Sequence, residues 1–419
     1  MLKSYSRSCL VAGLLLLLGA GCGSDGASNG DAGAGADVDA GAEIDAAVDS
    51  GVVGVDLSKP TKVDLTQTLP TQLSGFNFFK WDPATATFTY HDGILPYEPN
   101  TALFSDYAVK NRAIYVPAGS GGGTFDPELA FDFPVGTVVI KNFAIPADMR
   151  APTQNVRLIE TRLLVRFDSG WQGFPYIWNA DQTDATYTPA GEVRQISFID
   201  SDGSSATANY LIPQKNQCSS CHARRPTPDP LSAPVMTLLG IKARHLDRVY
   251  DYGGTIGPQN QLTRMADEGF LTNLPDLSTI TPAYDFRSIE AGGVAAIPAG
   301  DVEKAARDYL DINCAHCHNP NGVQGETSQL FLNHDNTSLF NLGVCKQPGS
   351  AGSGTGGHKY DIVPQNSDLS ILKFRIHTTD PGAMMPLLGR SLEHRRGVEL
   401  ITAWIDAMPA ATPPCADPY

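Results

Sequence analysis

The sequence CSSCH at residues 218–222 and the sequence CAHCH at residues 314–318 decide the organisation of this chain of 419 residues. In each pentapeptide two thiols lie about one helical turn apart, so they can form thioethers to the vinyl groups of a haem, and the adjacent histidine can bind the iron. The side chains predicted to hold two c-type haems are Cys218, Cys221 and His222 in the first motif and Cys314, Cys317 and His318 in the second. The alternative is zinc, because two Cys-x-x-Cys pairs can form a four-cysteine site, but zinc does not require a histidine after both pairs.

The start of the chain has the form of a signal peptide, at residues 1–21. Lys3 and Arg7 supply its positive charges, and residues 10–18 form an apolar core too short to span a bilayer. Residues 17–22 read LLGAGC and resemble a bacterial lipobox with Cys22 as the lipidated residue, although Gly19 stands where leucine is usual. We expect an exported lipoprotein on the periplasmic or cell-surface face of a bacterial membrane, with the outer membrane favoured. Ordinary cleavage to a soluble periplasmic protein is the alternative.

Residues 22–57 are predicted to form a lipid-anchored, disordered linker. They are mostly Ala, Gly, Asp and Ser, and such a stretch cannot bury enough apolar surface to offset its ordering entropy. The whole chain has 45 Asp and Glu against 30 Lys and Arg, a formal net charge of −15. An acidic chain without a basic stripe argues against nucleic-acid binding, so the expected partners are a membrane, through the lipid, and an unidentified redox protein.

Residues 58–213 are predicted to be a β-rich domain, a sandwich or a partly closed barrel. Short apolar runs between turn residues predict strands, and these lie at 131–140 and 157–167, with further strands at 113–116, 192–199 and 206–212. In the second run Glu160, Arg162 and Arg166 share one side, as in a half-buried strand. Four aromatic residues follow, and core packing is favoured over a carbohydrate-binding platform for Trp171, Phe174, Tyr176 and Trp178.

Helical periodicity begins after Pro213, so the expected fold class is a multidomain α+β protein whose β-rich part precedes mainly α-helical haem domains. Residues 302–312 are predicted to form one amphipathic helix that runs directly into Cys314, and residues 396–408 are predicted to form another near the C-terminus. These two helices resemble the crossing N- and C-terminal helices of class I cytochromes c. The predicted division is a first haem-binding region at 214–297 and a class I cytochrome c-like domain at 298–419.

The resemblance to class I cytochromes implies that a methionine from the loop before the last helix is the sixth ligand of the second haem. That loop reads GAMMP at residues 382–386, and Met385 is favoured because proline follows it, with Met384 as the alternative. His316 lies between the two thiols and is interpreted as a non-ligand. The proline usual about a dozen residues after the proximal histidine is replaced by Leu330, so the carbonyl that orients His318 stays unidentified.

The sixth ligand of the first haem is left open by the sequence. Met265 lies at a plausible distance along the chain, Met236 is close to the motif, and His245 would give bis-histidine ligation. An open position is the fourth possibility. Arg224 and Arg225 follow the motif directly and are candidates to pair with haem propionates, although solvent exposure is the ordinary interpretation of such residues.

Two further cysteines, Cys345 and Cys415, lie outside the haem motifs. Because an exported protein folds in an oxidising compartment, the simplest interpretation is a disulfide that holds the C-terminus.

The chain as a whole resembles a bacterial dihaem c-type cytochrome family with a β-rich N-terminal region. The matching segments are TALFSDYA at 101–108, FPVGT at 133–137, LIETRL at 158–163, YIWN at 176–179 and YLDINCAHCH at 309–318. The resemblance implies haem binding and electron transfer. Two alternatives remain: a dihaem peroxidase-like enzyme with an open first haem, and a β-rich module that binds a partner protein or glycan while the haems relay electrons.

Overall fold

The computed structural model describes residues 55–229, 231–323 and 329–416, and an antiparallel sheet of six strands is its largest element. The predicted signal peptide, Cys22 and the predicted linker up to residue 54 lie outside the described residues. The strands between residues 79 and 212 are β1 (Phe79–Asp82), β2 (Thr87–Tyr90), β3 (Ile94–Tyr97), β4 (Val109–Tyr115), β5 (Gly123–Thr124), β6 (Val138–Pro146), β7 (Val156–Phe167), β8 (Gly170–Trp178), β9 (Ala185–Tyr187), β10 (Glu192–Ile199) and β11 (Ser205–Ile212).

The large sheet has the strand order β3-β4-β6-β7-β8-β9. Its outer strands, β3 and β9, do not pair with each other, so the sheet is open, and β1-β2 and β10-β11 form separate hairpins. The β-rich character expected of this region is therefore confirmed. The strands predicted at 157–167, 192–199 and 206–212 are confirmed to within a residue, whereas the run at 131–140 becomes a strand only from Val138 onward.

Both faces of the large sheet are covered. Because side chains alternate along a strand, Val138, Ile140 and Leu163 point to one face, where they pack with Phe76 and Phe78 from the N-terminal segment. The opposite face carries two apolar clusters, one around Val139 that includes Leu238 and Met265, and another around Phe143 and Ile177 that includes Leu392. Residues from beyond Pro213 thus complete the core of the β-rich region, and all described residues belong to one compact unit.

The aromatic residues of β8 are core residues. Trp171, Phe174, Tyr176 and Trp178 are all buried, and three of them pack on the N-terminal face of the sheet. They do not form an exposed platform.

The chain beyond β11 consists of short helices and two-stranded pairs joined by loops. Its α-helices are α1 (Cys218–His222), α2 (Ala243–Leu246), α3 (Gln261–Asp267), α4 (Arg287–Gly292), α5 (Val302–Asn313), α6 (Leu339–Leu342), α7 (Ile371–His377) and α8 (Arg395–Ala407). The strands are β12 (Ala223–Arg224), β13 (Val235–Met236), β14 (Val249–Asp251), β15 (Pro258–Asn260) and β16 (Leu271–Thr272), and β16 pairs with β5. Short 3-10 helices lie at Leu73–Phe76, Lys215–Gln217, Leu277–Thr279, Val294–Ala296, Ala299–Asp301, Gly352–Thr355 and Ser367–Leu369. None of the helices in the described ranges is both long and apolar enough to cross a bilayer.

The two longest helices among the described residues, α5 and α8, pack against each other at Gly397. A Cβ atom at this position would collide with the hydroxyl of Tyr309, so glycine permits the close approach of the two helices. The Tyr309 hydroxyl is hydrogen bonded to His394 Nδ1 at 3.0 Å, and His394 Nε2 donates to Glu290 Oε1 at 2.8 Å. The helices predicted at 302–312 and 396–408 are confirmed with shifts of one residue.

Residues 101–108 connect the sheet to the two long helices. The Asp106 carboxylate accepts hydrogen bonds from the backbone N–H groups of Ser391 at 2.6 Å and Leu392 at 2.8 Å, just before α8. The Phe104 N–H donates to Asn313 Oδ1 at 2.8 Å, at the end of α5 and next to Cys314. Residues 101–108 of the β-rich region therefore contact both the end of α5, next to the second motif, and the loop before α8.

Candidate cofactor-binding sites

The first motif forms the short helix α1, which follows the last strand of the β-rich region. The Gln214 N–H donates to the side chain of Gln217 at 2.9 Å, which helps to start the turn that leads into Cys218. In helical conformation the two cysteines are three residues apart and lie on one side, with His222 at the end of the same turn. This is the arrangement that two thioethers and one axial histidine require.

His222 is oriented by the backbone of Thr237. Its Nδ1 lies 2.8 Å from the Thr237 carbonyl oxygen, and since a carbonyl can only accept, Nδ1 carries the proton. Burial lowers the pKa of His222 to about 4 despite this hydrogen bond, so the ring is neutral at pH 7. A neutral imidazole with Nδ1 engaged leaves Nε2 as the atom able to bind iron.

A cavity opens beside the first motif. Its empty space, including the open mouth, is about 1330 Å³, and its wall includes Cys218, Cys221 and His222. The wall also includes Val139 and Leu164 of the sheet, Leu238 and Ile241 from the segment that follows the motif, Ile312 of α5, and Leu388 from the loop before α8. An apolar space of this kind, with two thiols and a neutral histidine at its edge, fits a haem.

The close approach of Cys218 to the sheet depends on Gly173 in β8. A Cβ atom at residue 173 would lie 2.5 Å from Cys218 Sγ and 3.1 Å from Cys218 Cβ. The thiol is largely buried, and burial raises its pKa.

Three cationic side chains cross the sheet in one row on the cavity side. In the pairing register Arg112 of β4 lies opposite Lys141 of β6, which lies opposite Arg162 of β7, and all three line the cavity. Burial, reinforced by repulsion from Arg112 and Arg162, lowers the pKa of Lys141 well below its usual range. Arg162 is held by Glu160, with Nε–Oε2 and Nη2–Oε1 distances of 2.7 and 2.5 Å. Sequence reasoning assigned Arg162 to a half-buried strand, whereas it faces this interior cavity.

The second motif follows α5 directly. Burial raises the pKa of Cys314 to about 12 and lowers the pKa of His318 to about 4. The carbonyl of Leu330 lies close enough to the His318 ring to oppose that lowering, although Nδ1 has no hydrogen bond of normal geometry. The sequence did not identify the carbonyl group that orients His318, and the Leu330 carbonyl is the candidate for this role.

The loop that carries Met384 and Met385 is fixed by two arginines. Arg375 Nε donates to the Ala383 carbonyl at 2.9 Å, and Arg390 Nε donates to the Met385 carbonyl at 3.0 Å. Met384 is buried and Met385 is partly exposed. The charge of Arg375 also contributes to the low pKa of His318, so this arginine is near both the methionine loop and the proximal histidine of the second motif.

The two motifs lie side by side. Cys317 Sγ is 3.4 Å from the Ser220 carbonyl oxygen, and His316 is close enough to His222 for their charges to interact. The segments that follow the motifs also pair, since the Arg225 N–H donates to the Asn321 carbonyl at 2.8 Å. The Arg225 guanidinium is hydrogen bonded to the Gly322 carbonyl, so this residue joins the two motif segments rather than facing the cavity. Arg224 lines a separate cavity with His316.

The candidates for the sixth ligand of the first haem are dispersed. Met265 is fully buried in the apolar cluster around Val139, Met236 pairs with Ala223 behind the motif, and His245 Nε2 lies 3.2 Å from Asp311 Oδ2. None of the three lines the cavity beside His222. Among the described residues that do line it, there is no methionine and no second histidine.

The remaining two cysteines are joined. Cys345 and Cys415 form a disulfide with a Cα–Cα distance of 5.0 Å, which ties the last described turn to the segment after α6. Within the described ranges, no group of three or more His, Cys, Asp and Glu side chains is arranged to hold a metal ion, so the four motif cysteines do not assemble into one tetrahedral site there.

Several residues that shape the sites carry little sequence signal. Thr237 acts through its backbone carbonyl, which any residue could supply, and Gly173 acts through the absence of a side chain. Arg112 and Lys141 are separated by 29 positions and meet only through strand pairing. The sequence signal that could have indicated the basic row was the presence of basic residues within predicted strands that also carry apolar residues. Comparison with protein-family models, with curated proteins and with solved structures found no significant match.

Proposed function

We propose that this chain is an exported dihaem c-type cytochrome, lipid-anchored at Cys22, that transfers electrons through two covalently bound haems. The observation that carries the proposal is the adjacency of the two CxxCH motifs, with Cys317 Sγ 3.4 Å from the Ser220 carbonyl. Each haem, when bound, supplies a one-electron ferrous–ferric couple. Because the two motifs lie on neighbouring backbone segments, two haems attached to them would be close together in one folded unit.

The chain's own residues would hold the haems as follows. Cys218 and Cys221 attach the first haem and His222 binds its iron, with the tautomer set by the Thr237 carbonyl. Cys314, Cys317 and His318 do the same for the second. The apolar part of the first cavity's wall would limit the access of water to the first haem, and with it solvent reorganisation when the charge on iron changes.

We also propose membership of the bacterial dihaem cytochrome family that the sequence resembles, with a class I-like second site. Support comes from the contact of α5 with α8 at Gly397 and Tyr309, and from the arginine-fixed loop that presents Met384 and Met385 before α8. Met385 is the proposed sixth ligand and Met384 the alternative. A thioether ligand favours ferrous iron and raises the potential relative to bis-histidine ligation.

A peroxidase-like enzyme is the second candidate, and one observation favours it. Since no methionine and no second histidine lines the described wall of the His222 cavity, the first haem could keep an open position. A haem with an open position binds small ligands, whereas a carrier needs only electron exchange.

Carbon monoxide and hydrogen peroxide separate the two candidates. For a carrier we expect weak carbon monoxide binding by the reduced protein and no peroxide consumption above a free-haem background. Tight carbon monoxide binding at one haem, together with steady peroxide consumption from a reduced donor, would identify an enzyme whose centre is the His222 haem.

A further inference from the structure

The row formed by Arg112, Lys141 and Arg162 has more positive charge than its protein surroundings balance. Arg162 is paired with Glu160, but within the described part of the chain neither Arg112 nor Lys141 forms an ion pair. Lys110 lies two residues before Arg112 on β4 and is a fourth basic side chain on this face, although burial lowers its pKa to about 7. More distant carboxylates act only at longer range: Glu98 on Arg112, and Asp106 and Glu290 on Lys110.

Such an arrangement is unfavourable without a bound anion. Like charges directly opposite each other on neighbouring strands destabilise a sheet, and burial removes the water that would screen them. Arg112 is 7% exposed, and Lys141 lies against the ring of Phe143, with Nζ 4.9 Å from the ring centroid. The row faces the cavity that holds Cys218, Cys221 and His222, so a ligand in this cavity would meet the unbalanced charges.

We propose that Arg112, Lys141 and Arg162 form a carboxylate-binding row that holds the propionates of the haem attached at the first motif. This proposal rests on the proposed function, because it takes the cavity's occupant to be a haem. Two propionates carry two negative charges and can accept the charge-assisted hydrogen bonds that Arg112 and Lys141 have available. A small carboxylate free in solution has the same chemistry and is the alternative anion that the row could bind.

The test uses the holoprotein with Lys141→Met and Arg112→Met variants. Arg162 is left unchanged because its removal would leave the buried Glu160 carboxylate without its cationic partner. The matched control is Lys80→Met, since Lys80 is an exposed lysine of β1 in the same region. The potentials of the two haems are measured by spectroelectrochemistry, and the first haem is identified as the one that Met385→Ala leaves unchanged.

Both variants should retain two haems, because the thioethers do not involve the row. The propionates would keep Lys141 protonated, so each variant removes one positive charge. This should favour ferric iron at the first haem about tenfold, a fall of about 59 mV for one electron. Resonance Raman propionate bending modes should shift in both variants and not in Lys80→Met. Unchanged propionate modes in both variants would overturn the assignment, since a purely electrostatic or structural effect could still move the potential.

Acetate added at constant ionic strength distinguishes the two sources of carboxylate. With propionates on the row, the first haem of the unaltered protein should be insensitive to acetate. A saturable acetate-dependent change in its spectrum or potential that Lys141→Met abolishes would show that the row binds free carboxylate, and the propionate assignment would be wrong. Purified unaltered protein that contains no haem would instead contradict the proposed function.

Discussion

At the scale of single residues, the two histidines proposed as proximal ligands, His222 and His318, are held differently. The Thr237 carbonyl accepts a 2.8 Å hydrogen bond from His222, whereas the Leu330 carbonyl near His318 makes no bond of normal geometry to Nδ1. Since a firmly held Nδ1–H raises the basicity of the ligating nitrogen, the first haem should receive the stronger histidine ligand. Small residues also matter here, because the proposed thioether at Cys218 would need space beside the sheet.

We predict that Gly173→Ala prevents normal attachment at Cys218. The added methyl group would occupy space 2.5 Å from the sulfur, and a strand in the middle of a sheet cannot move away easily. Intact mass and peptide mapping should show loss of the first haem or attachment through Cys221 alone. Gly300→Ala is the control, since nothing lies within 4 Å of a Cβ at residue 300. Normal double attachment in Gly173→Ala would show that this contact does not constrain the site.

We predict that Met385→Ala lowers the potential of the second haem or makes it high-spin, with both haems still attached. Alanine cannot supply the thioether that favours ferrous iron. The readout is the ferric sulfur-to-iron band at the red edge of the visible spectrum, which should disappear. Met384→Ala is the matched control and should keep the band. If the band is lost only in Met384→Ala, the ligand is one residue earlier.

At the scale of elements, α5 carries charge as well as the second motif. Asp308 pairs with Arg244 at 2.6 Å, and Asp311 pairs with Lys242 at 2.9 Å and His245 at 3.2 Å. Burial opposes ionisation of Asp311, but the Lys242 charge and these hydrogen bonds hold its pKa well below the usual range. Burial also lowers the pKa of His245, so Lys242 is the cation that balances Asp311 at neutral pH. This network ties the segment after the first motif to the helix before the second.

We predict that Asp311→Asn lowers the free energy of unfolding by about 3–5 kcal/mol at pH 7, because Lys242 would be left without its buried partner. The stabilisation by ionised Asp311 is present above the unfolded pKa of about 3.9 and is lost as pH falls toward the lower folded pKa. Chemical unfolding between pH 7 and pH 3 should therefore show an acid-dependent loss in the unaltered protein that is smaller in Asp311→Asn. The exposed Asp368→Asn should change little, and equal behaviour of the two variants would count against the network.

We predict that Gly397→Ala destabilises the contact of α5 with α8 by about 1–3 kcal/mol, as overpacking of a close contact does. Alanine favours helix, so propensity alone would predict stabilisation, and the sign of the change in melting temperature decides between the two effects. A higher melting temperature than that of the unaltered protein would mean that the helices separate without cost.

Sequence patterns predicted the bounds of helices and strands better than they predicted what each helix or strand packs against. The bounds of α5, α8 and β7 follow from periodicity, because one face of each is apolar. The environment of β7 does not follow, since alternation distinguishes two faces but cannot tell solvent from a polar cavity wall. The charged residues Glu160 and Arg162 therefore predict a solvent-exposed face of β7, although Glu160 is 0% exposed. Contacts between distant segments, such as Asp106 with the loop before α8, had no signal in the spacing of residues.

At the scale of the whole molecule, the β-rich region and the motif-bearing segments share their cores. The apolar cluster around Val139 contains Leu238, Ile241 and Met265, and the wall of the first cavity includes Ile312 and Leu388. This sheet is apolar on both faces, and the N-terminal segment covers one face while segments after Pro213 cover the other. The sheet in turn supplies the basic row and the space for Cys218, so the proposed first haem site is formed by both the β-rich region and the segments after Pro213.

We predict that Cys22→Ser releases the protein from the membrane fraction with both haems bound, because stable anchoring needs acyl chains on that cysteine. Fractionation followed by haem-stained gels measures this, and Cys9→Ser, just before the apolar core of the predicted signal peptide, is a control that should stay membrane-bound. Unaltered protein that is already soluble would show that the lipobox interpretation is wrong.

The measurement that tests the central claim most directly is the intact mass of the purified chain, combined with the alkaline pyridine spectrum. The account predicts two covalently attached haems per chain, one haem after Cys218→Ala with Cys221→Ala, and one haem after Cys314→Ala with Cys317→Ala. A chain without haem mass, or one that carries zinc released by a chelator, would contradict it.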